Sequence, residues 1–187
     1  STSPVPLRFT GKTPMADLSI LAGTYKGTRL KTPEAANTRP TSARVRKSLF
    51  DILGDLSGSS VLDLFAGTGA LGLEAASRGA VSVTFVESER KAVESIKKNG
   101  LLFQGVKLDV IRQDVFRFLK KNDSLFDLIL ADPPYGKVNL DGLAELALQW
   151  LSPEGRLMIE SSVRESWRPE RARVKEYGDT QISIFSS

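Results

Sequence analysis

From residue 60 onward, five short apolar runs, SVLDLF, VSVTFV, VIRQ, FDLILA and RLMIES, are separated by four helix-like stretches, GALGLEAASR, ERKAVESIKKN, VFRFLKK and LDGLAELALQWL. A helix between two strands is long enough to cross back over a sheet and set the second strand parallel to the first. The sustained alternation therefore predicts an α/β architecture, with a mostly parallel sheet covered by helices on both faces. RARVKEYGDTQISIF then reads as two further strands about a Gly178–Asp179 turn, a C-terminal antiparallel hairpin that brings the expected sheet to seven strands.

The segment before residue 60 has a different character. Residues 1–17 are rich in Ser, Thr and Pro without periodicity, which predicts a flexible tail. LSILAGTYKGTRLKTP, with Gly23 and Gly27, predicts a small hairpin. SARVRKSLFDIL predicts a helix with Val45, Leu49, Ile52 and Leu53 on one face, Thr41 or Ser42 as cap and Gly54 as stop. Arg44, Arg46 and Lys47 then face elsewhere. At 187 residues the chain is the size of one domain. Residues 18–187 are expected to form it, with 18–54 as a basic hairpin and helix and 55–187 as the core.

Charge and composition narrow the chemistry. The net charge is +4, but residues 1–50 carry nine Lys/Arg against two Asp/Glu, so that quarter contributes +7 and the remainder −3. Such asymmetry suits a polyanionic partner, the alternative being solvated charge kept for solubility. Cys and His are both absent, which excludes thiol nucleophiles, Cys/His zinc sites and imidazole bases. Carboxylates, hydroxyls, Lys, Tyr, backbone groups or a cofactor must do any chemistry. No apolar run approaches the roughly 18 residues that span a bilayer, so a soluble protein without membrane association is expected, and a reducing cytoplasm is compatible with it.

VLDLFAGTGALGLEAA is a strand, a glycine-rich turn and a helix. Gly67, Gly69 and Gly72 satisfy the G-x-G-x-x-G spacing, and Glu87 ends the next strand, where an acid would hold a ribose hydroxyl. The loop thus predicts an adenosine cofactor without choosing one. Asp63 argues against a dinucleotide, because an anion there opposes a pyrophosphate on the helix N-terminus. S-adenosylmethionine, with a sulfonium and an ammonium, suits it better. A turn-capping role for Asp63 remains the alternative, as helix capping does for Asp114 at the end of the third strand.

ADPPYG, residues 131–136, follows the apolar run FDLIL at the end of the fourth strand. The exocyclic amine of a nucleobase is a poor nucleophile because its lone pair is delocalised into the ring. Acceptance of one N–H by the Asp132 carboxylate and the other by the Pro133 carbonyl pyramidalises that nitrogen and aims its lone pair. Pro133 and Pro134 fix φ, and Tyr135 offers a ring on which a base can stack. A Pro-Pro turn that merely ends a strand, with Tyr135 covering the core, is the competing reading.

DPPY together with VLDLFAGTGALGLEA resembles the amino-group methyltransferases that modify nucleobase amines. More narrowly, LAGTYKGTRLKTP, RPTSARVRKSLFDIL, the glycine loop, ADPPYG and YGDTQISIF resemble, in order, the RsmD-type bacterial small-subunit ribosomal RNA guanine-N2 methyltransferases, from about residue 18 to 185. The resemblance implies a Rossmann-like class I methyltransferase fold, S-adenosylmethionine as methyl donor and no metal. It implies methyl transfer to the N2 amine of a guanine in small-subunit ribosomal RNA, free or within an assembling particle, by a cytoplasmic monomer. Carried over by residue, Asp63, Phe65, Gly67 and Gly69 line the methionine end, Glu87 and Ser88 bind ribose, and Asp114 with Val115 flanks adenine. Asp132, Pro133, Pro134 and Tyr135 hold the guanine, while Lys26, Arg29, Arg39, Thr41, Arg44 and Arg46 are assigned to RNA contacts or closure of the site. The rival readings are a DNA adenine-N6 methyltransferase with the same corner, a nicotinamide oxidoreductase, and a non-catalytic RNA-binding assembly factor.

Overall fold

The structure, a computed structural model, describes residues 18–33 and 41–187. The tail expected over residues 1–17, and Arg39, lie outside the described residues. After helix α1 (Ala43–Leu53) the chain alternates through β1 (Ser60–Leu64), α2 (Ala70–Ser77), β2 (Ser82–Glu87), α3 (Arg90–Gly100), β3 (Lys107–Arg112), α4 (Val115–Lys121), β4 (Phe126–Ala131), α5 (Leu140–Leu148) and β5 (Leu151–Ser162), and ends in β6 (Arg173–Tyr177) and β7 (Thr180–Ser186). The seven strands form one sheet in the order β3-β2-β1-β4-β5-β7-β6. β1 to β5 are parallel, and β7 inserts antiparallel between β5 and β6. The chain winds outward through β2 and β3 and then returns to β4 on the other side of β1. That reversal opens a crevice at the carboxyl ends of β1 and β4.

Alternation along the strands divides the core. Val61, Leu128, Leu130, Met158 and Ile182 pack with α1, α2 and α3, while Leu62, Leu64, Ile129, Ala131, Leu157 and Ile159 pack with α4 and α5. Strands buried on both faces read as continuous apolar runs, which is why β1 and β4 stood out in the sequence. Gly72 shows how closely α2 lies on the sheet, since a Cβ there would sit 2.4 Å from Phe85 Cε1 and 2.9 Å from Asp63 Oδ2. The third glycine of the spacing is therefore a helix–sheet packing residue. Gly72→Ala is expected to destabilise by about 1–3 kcal/mol, measurable as a lowered urea midpoint with an unchanged slope.

The amino-terminal segment is fastened to α2 and α3. Residues 18–33 form a small hairpin through Ile20 N–H to Thr28 O at 2.9 Å and Leu30 N–H to Leu18 O at 2.7 Å, and bury Leu18, Ile20 and Leu30. The fully buried Glu74 of α2 accepts from Leu21 N–H at 2.8 Å and Ala22 N–H at 3.3 Å. Thr24 N–H reaches Ser77 O at 2.8 Å. Only glycine fits at position 23, where φ is +86° and a Cβ would lie 1.9 Å from Ser77 O.

In α1 Ser42 is the cap, accepting from Val45 N–H at 3.2 Å, which leaves Thr41 free for another task. Gly54 ends the helix as expected, donating to Phe50 O at 3.0 Å. The buried face is Val45, Leu49, Phe50 and Leu53, joined by Arg46; Ile52 is only half-buried. The Arg46 assignment is thereby corrected. This residue is 2% exposed, with its Nε 3.5 Å from Glu74 Oε1 and an Nη donating to Ser19 O at 2.6 Å. Enclosed between helix, hairpin and Glu74, it presents no charge to an RNA phosphate. Burial pushes its guanidinium pKa down, opposed by the Glu74 charge. Arg78 Nε also donates to Glu74 Oε2 at 3.1 Å, so the buried carboxylate lies between two guanidiniums.

Candidate active site

The glycine turn between β1 and α2 takes conformations that L-residues avoid: Gly67 has φ +57° and Gly69 has φ +81°. Phe65 also has positive φ, at 55°, where a Cβ is strained. The turn closes through Gly69 N–H donating to Ala66 O at 2.7 Å. Glu87, at the end of β2, accepts from Gly67 N–H at 2.9 Å through Oε1 and from Glu89 N–H at 2.8 Å through Oε2. This joins the second strand's acid to the loop, with Ser88 exposed beside it. Asp114 caps α4, accepting from Arg117 N–H at 2.9 Å. The neighbouring Val115 side chain is buried in the core, so only its backbone is offered to a ligand.

Three further acids converge from β1, β4 and β5. Asp63 is 1% exposed and accepts from Gly72 N–H at 2.9 Å. Burial pushes its pKa up to about 8, helped by the Glu87 charge and opposed by that hydrogen bond. Asp132 follows the Leu64↔Ala131 and Ala131↔Ile159 pairs of the sheet, so it stands level with Glu160 on β5. Thr41 Oγ1 donates to Glu160 Oε2 at 2.7 Å and lies 3.4 Å from Asp132 Oδ2. Asp132 is held well above the usual carboxylate range by burial first, then by the Glu160 and Asp63 charges. Glu160 is raised by burial. The sequence reading missed Glu160; its one signal was an acid inside the apolar run LMIESS.

The corner after β4 is braced from the far side. Gly136 N–H donates to Glu165 Oε1 at 2.9 Å, and Ser162 N–H to Glu165 Oε2 at 2.9 Å. Lys137 N–H reaches Pro134 O at 3.4 Å, whereas the Pro133 carbonyl accepts no backbone N–H among the described residues. Tyr135 is 59% exposed, so it does not cover the core and leaves a ring face for stacking. An open groove of about 430 Å³ runs along it toward Trp167.

Not all the predicted residues meet here. Asp63, Phe65, Gly67, Gly69, Glu87, Thr41 and the Asp132–Tyr135 corner gather at the carboxyl edge of β1 and β4. Lys26 and Arg29 are exposed on the hairpin. Tyr25, next to Lys26, packs on Phe103 at 4.5 Å and accepts from Gly105 N–H at 3.1 Å, at the amino end of β3 and so across the sheet from the corner. Arg44 is exposed on α1.

The donor set tests the cofactor. Among the described residues, no Lys or Arg forms an ion pair with Asp63, Glu87, Asp132 or Glu160. With no such cation among the described residues to neutralise a pyrophosphate, and with buried acids that ionise most readily beside a positive charge, the crevice argues against a dinucleotide and fits the cationic S-adenosylmethionine.

Comparison with known proteins agrees. Ribosomal RNA small subunit methyltransferase D of Escherichia coli K12 is 32% identical over 84% of this chain and 84% of its own. The Haemophilus influenzae protein of the same name is 35% identical over 78% and 79%. The solved yhhF of Escherichia coli overlays with a TM-score of 0.80 at 30% identity, covering 91% of this chain and 97% of that one. A hypothetical protein of Thermus thermophilus overlays at 0.79 and 30%, covering 90% and 99%. The fold is the Rossmann-like class I fold of S-adenosylmethionine-dependent methyltransferases. The model of the family described as Conserved hypothetical protein 95 matches residues 18–186, and the chain belongs to that family.

Proposed function

We propose that this protein transfers the methyl group of S-adenosylmethionine to the N2 amine of a guanine in small-subunit ribosomal RNA, in the cytoplasm, acting as a monomer on an assembling particle. The observation that carries the reading is the Asp132–Pro133 acceptor pair, set at the sheet edge beside an acid-lined glycine turn. Names of curated relatives support the RNA substrate.

When bound, S-adenosylmethionine supplies an electrophilic methyl on a cationic sulfur. Asp63 is positioned to favour the cationic end, Glu87 the ribose hydroxyls, and Asp114 the adenine amine. Asp132 and the Pro133 carbonyl each accept one N–H of the target amine, turning its lone pair toward the methyl. Tyr135 stacks on the base, which must be splayed from its strand to enter. Once methylated, the nitrogen is strongly acidic, and Asp132 can take its proton without a tuned base. Arg44, Lys26, Arg29 and Arg39 are assigned to RNA phosphates, the last from sequence alone.

Incubation with labelled cofactor and unmodified small subunits, free ribosomal RNA or duplex DNA tests this. The expected product is N2-methylguanosine at one position of the subunit RNA, identified by mass spectrometry. N6-methyladenine in DNA, or no methylated nucleoside in any substrate, would overturn it.

A further inference from the structure

The chemistry above uses Asp132 but leaves its neighbour idle. Glu160 is 9% exposed in the middle of the sheet, one step past the Ala131↔Ile159 pair. Its opposite number on β7 is Ile182, which gives it nothing polar. Its one hydrogen-bond partner among the described residues is the Thr41 hydroxyl, at 2.7 Å, which also stands 3.4 Å from Asp132 Oδ2. A carboxylate so placed is unfavourable unless it has a function or a partner. The arrangement sets two acids side by side, on the same face of adjacent strands, with a single hydroxyl between them.

Two adjacent acceptors match one of the three amine-bearing nucleobases. Beside the N2 amine of guanine lies N1–H, a second donor. Next to the N6 amine of adenine is N1, and next to the N4 amine of cytosine is N3; both are acceptors. We propose that Glu160 is the specificity-determining residue of this site, accepting the N1–H of the target guanine while Asp132 accepts from its N2 amine. With adenine or cytosine at the corner, an ionised Glu160 faces a ring lone pair without a donor and can pair with it only by taking up a proton. That discriminates by repulsion as well as by a lost bond. The donor–donor edge of guanine also stabilises both acids in their ionised form, which neighbouring carboxylates otherwise resist. Thr41 acts as a positioning residue, its hydroxyl fixing one oxygen of Glu160 and leaving the other for the base. This inference rests on the guanine-N2 reading and specifies how that reading is enforced.

The test is a base analogue. Once the methylated position is mapped, small-subunit RNA is assembled by ligation with either guanine or 2-aminopurine there, and single-turnover methylation is compared for wild type and Glu160→Gln. 2-Aminopurine keeps the reacting amine but has an unprotonated N1. Wild type is expected to prefer guanine by about 100-fold or more. In Glu160→Gln, whose amide can donate to a bare N1, the preference is expected to fall by at least about tenfold, with cofactor affinity unchanged. Because 2-aminopurine also lacks the O6 carbonyl, the change in preference on substitution isolates Glu160, as in a double-mutant cycle. An unchanged preference in a variant that still binds cofactor overturns the proposal. So does a wild-type preference near unity, which requires no variant to fold. Wild type that methylates no guanine in natural subunits instead defeats the reading beneath it, and the earlier experiment registers that separately.

Discussion

An Asp132→Ala variant is expected to lose methyl transfer by a factor of about 10³ or more, with cofactor affinity unchanged within about threefold and a melting temperature no lower than wild type. The rate falls because one of the two acceptors that localise the amine lone pair disappears, an interaction needed chiefly at the transition state. Stability holds because this acid is a liability to the fold. Burial and the Glu160 and Asp63 charges push its pKa well up, so at neutral pH ionising it costs the native state stability. Single-turnover kinetics, calorimetry with S-adenosylmethionine and thermal melts check the three parts. A variant that restores subunit maturation in cells despite inactivity in vitro would favour the non-catalytic assembly reading.

Much of this site was legible in the sequence because its parts are local. The glycine turn, Glu87 at the next strand end and the DPPY corner each lie within a few residues of the strand that positions them. The strand–helix alternation, with its right-handed crossovers, then brings the parallel strand ends to one edge. What stayed hidden depends on contacts between distant segments. Arg46 reads as one more basic residue on an amphipathic helix; that it is buried depends on Glu74, an element away on α2, and on the hairpin that closes over both. Glu160 reads as the polar member of a strand, and only the register of β5 against β4 sets it beside Asp132. Thr41 looked like a helix cap or an RNA contact, yet Ser42 caps and Thr41 turns to the acids. The strained φ of Phe65 is likewise set by the turn as a whole, since nothing in a phenylalanine announces a left-handed conformation.

Asp63 is where stability and function pull in opposite directions, and Asp63→Asn should separate them. In the unfolded chain an aspartate ionises near pH 4, whereas in the fold burial holds the Asp63 proton up to about pH 8. Between those values the native state binds more protons than the unfolded one. Stability must therefore fall as pH rises through the window and level off above it. The substituted asparagine has no proton to lose, and its amide oxygen can still accept from Gly72 N–H. The variant is expected to be more stable than wild type at pH 8.5, by an amount on the order of a few kcal/mol, with a flatter profile of melting temperature between pH 5 and 8. Asp132 and Glu160 are shifted in the same direction, so some slope remains. The cofactor inverts the preference. Its positive charge favours the ionised acid, so wild-type affinity for S-adenosylmethionine should strengthen as pH climbs toward 8 more steeply than that of the variant, which is expected to be about 100-fold weaker at pH 8.5. Calorimetry at pH 6 and 8.5 decides the matter: equal affinity in the two proteins would mean that this carboxylate serves the turn alone, and the electrostatic case for a cationic ligand would go with it.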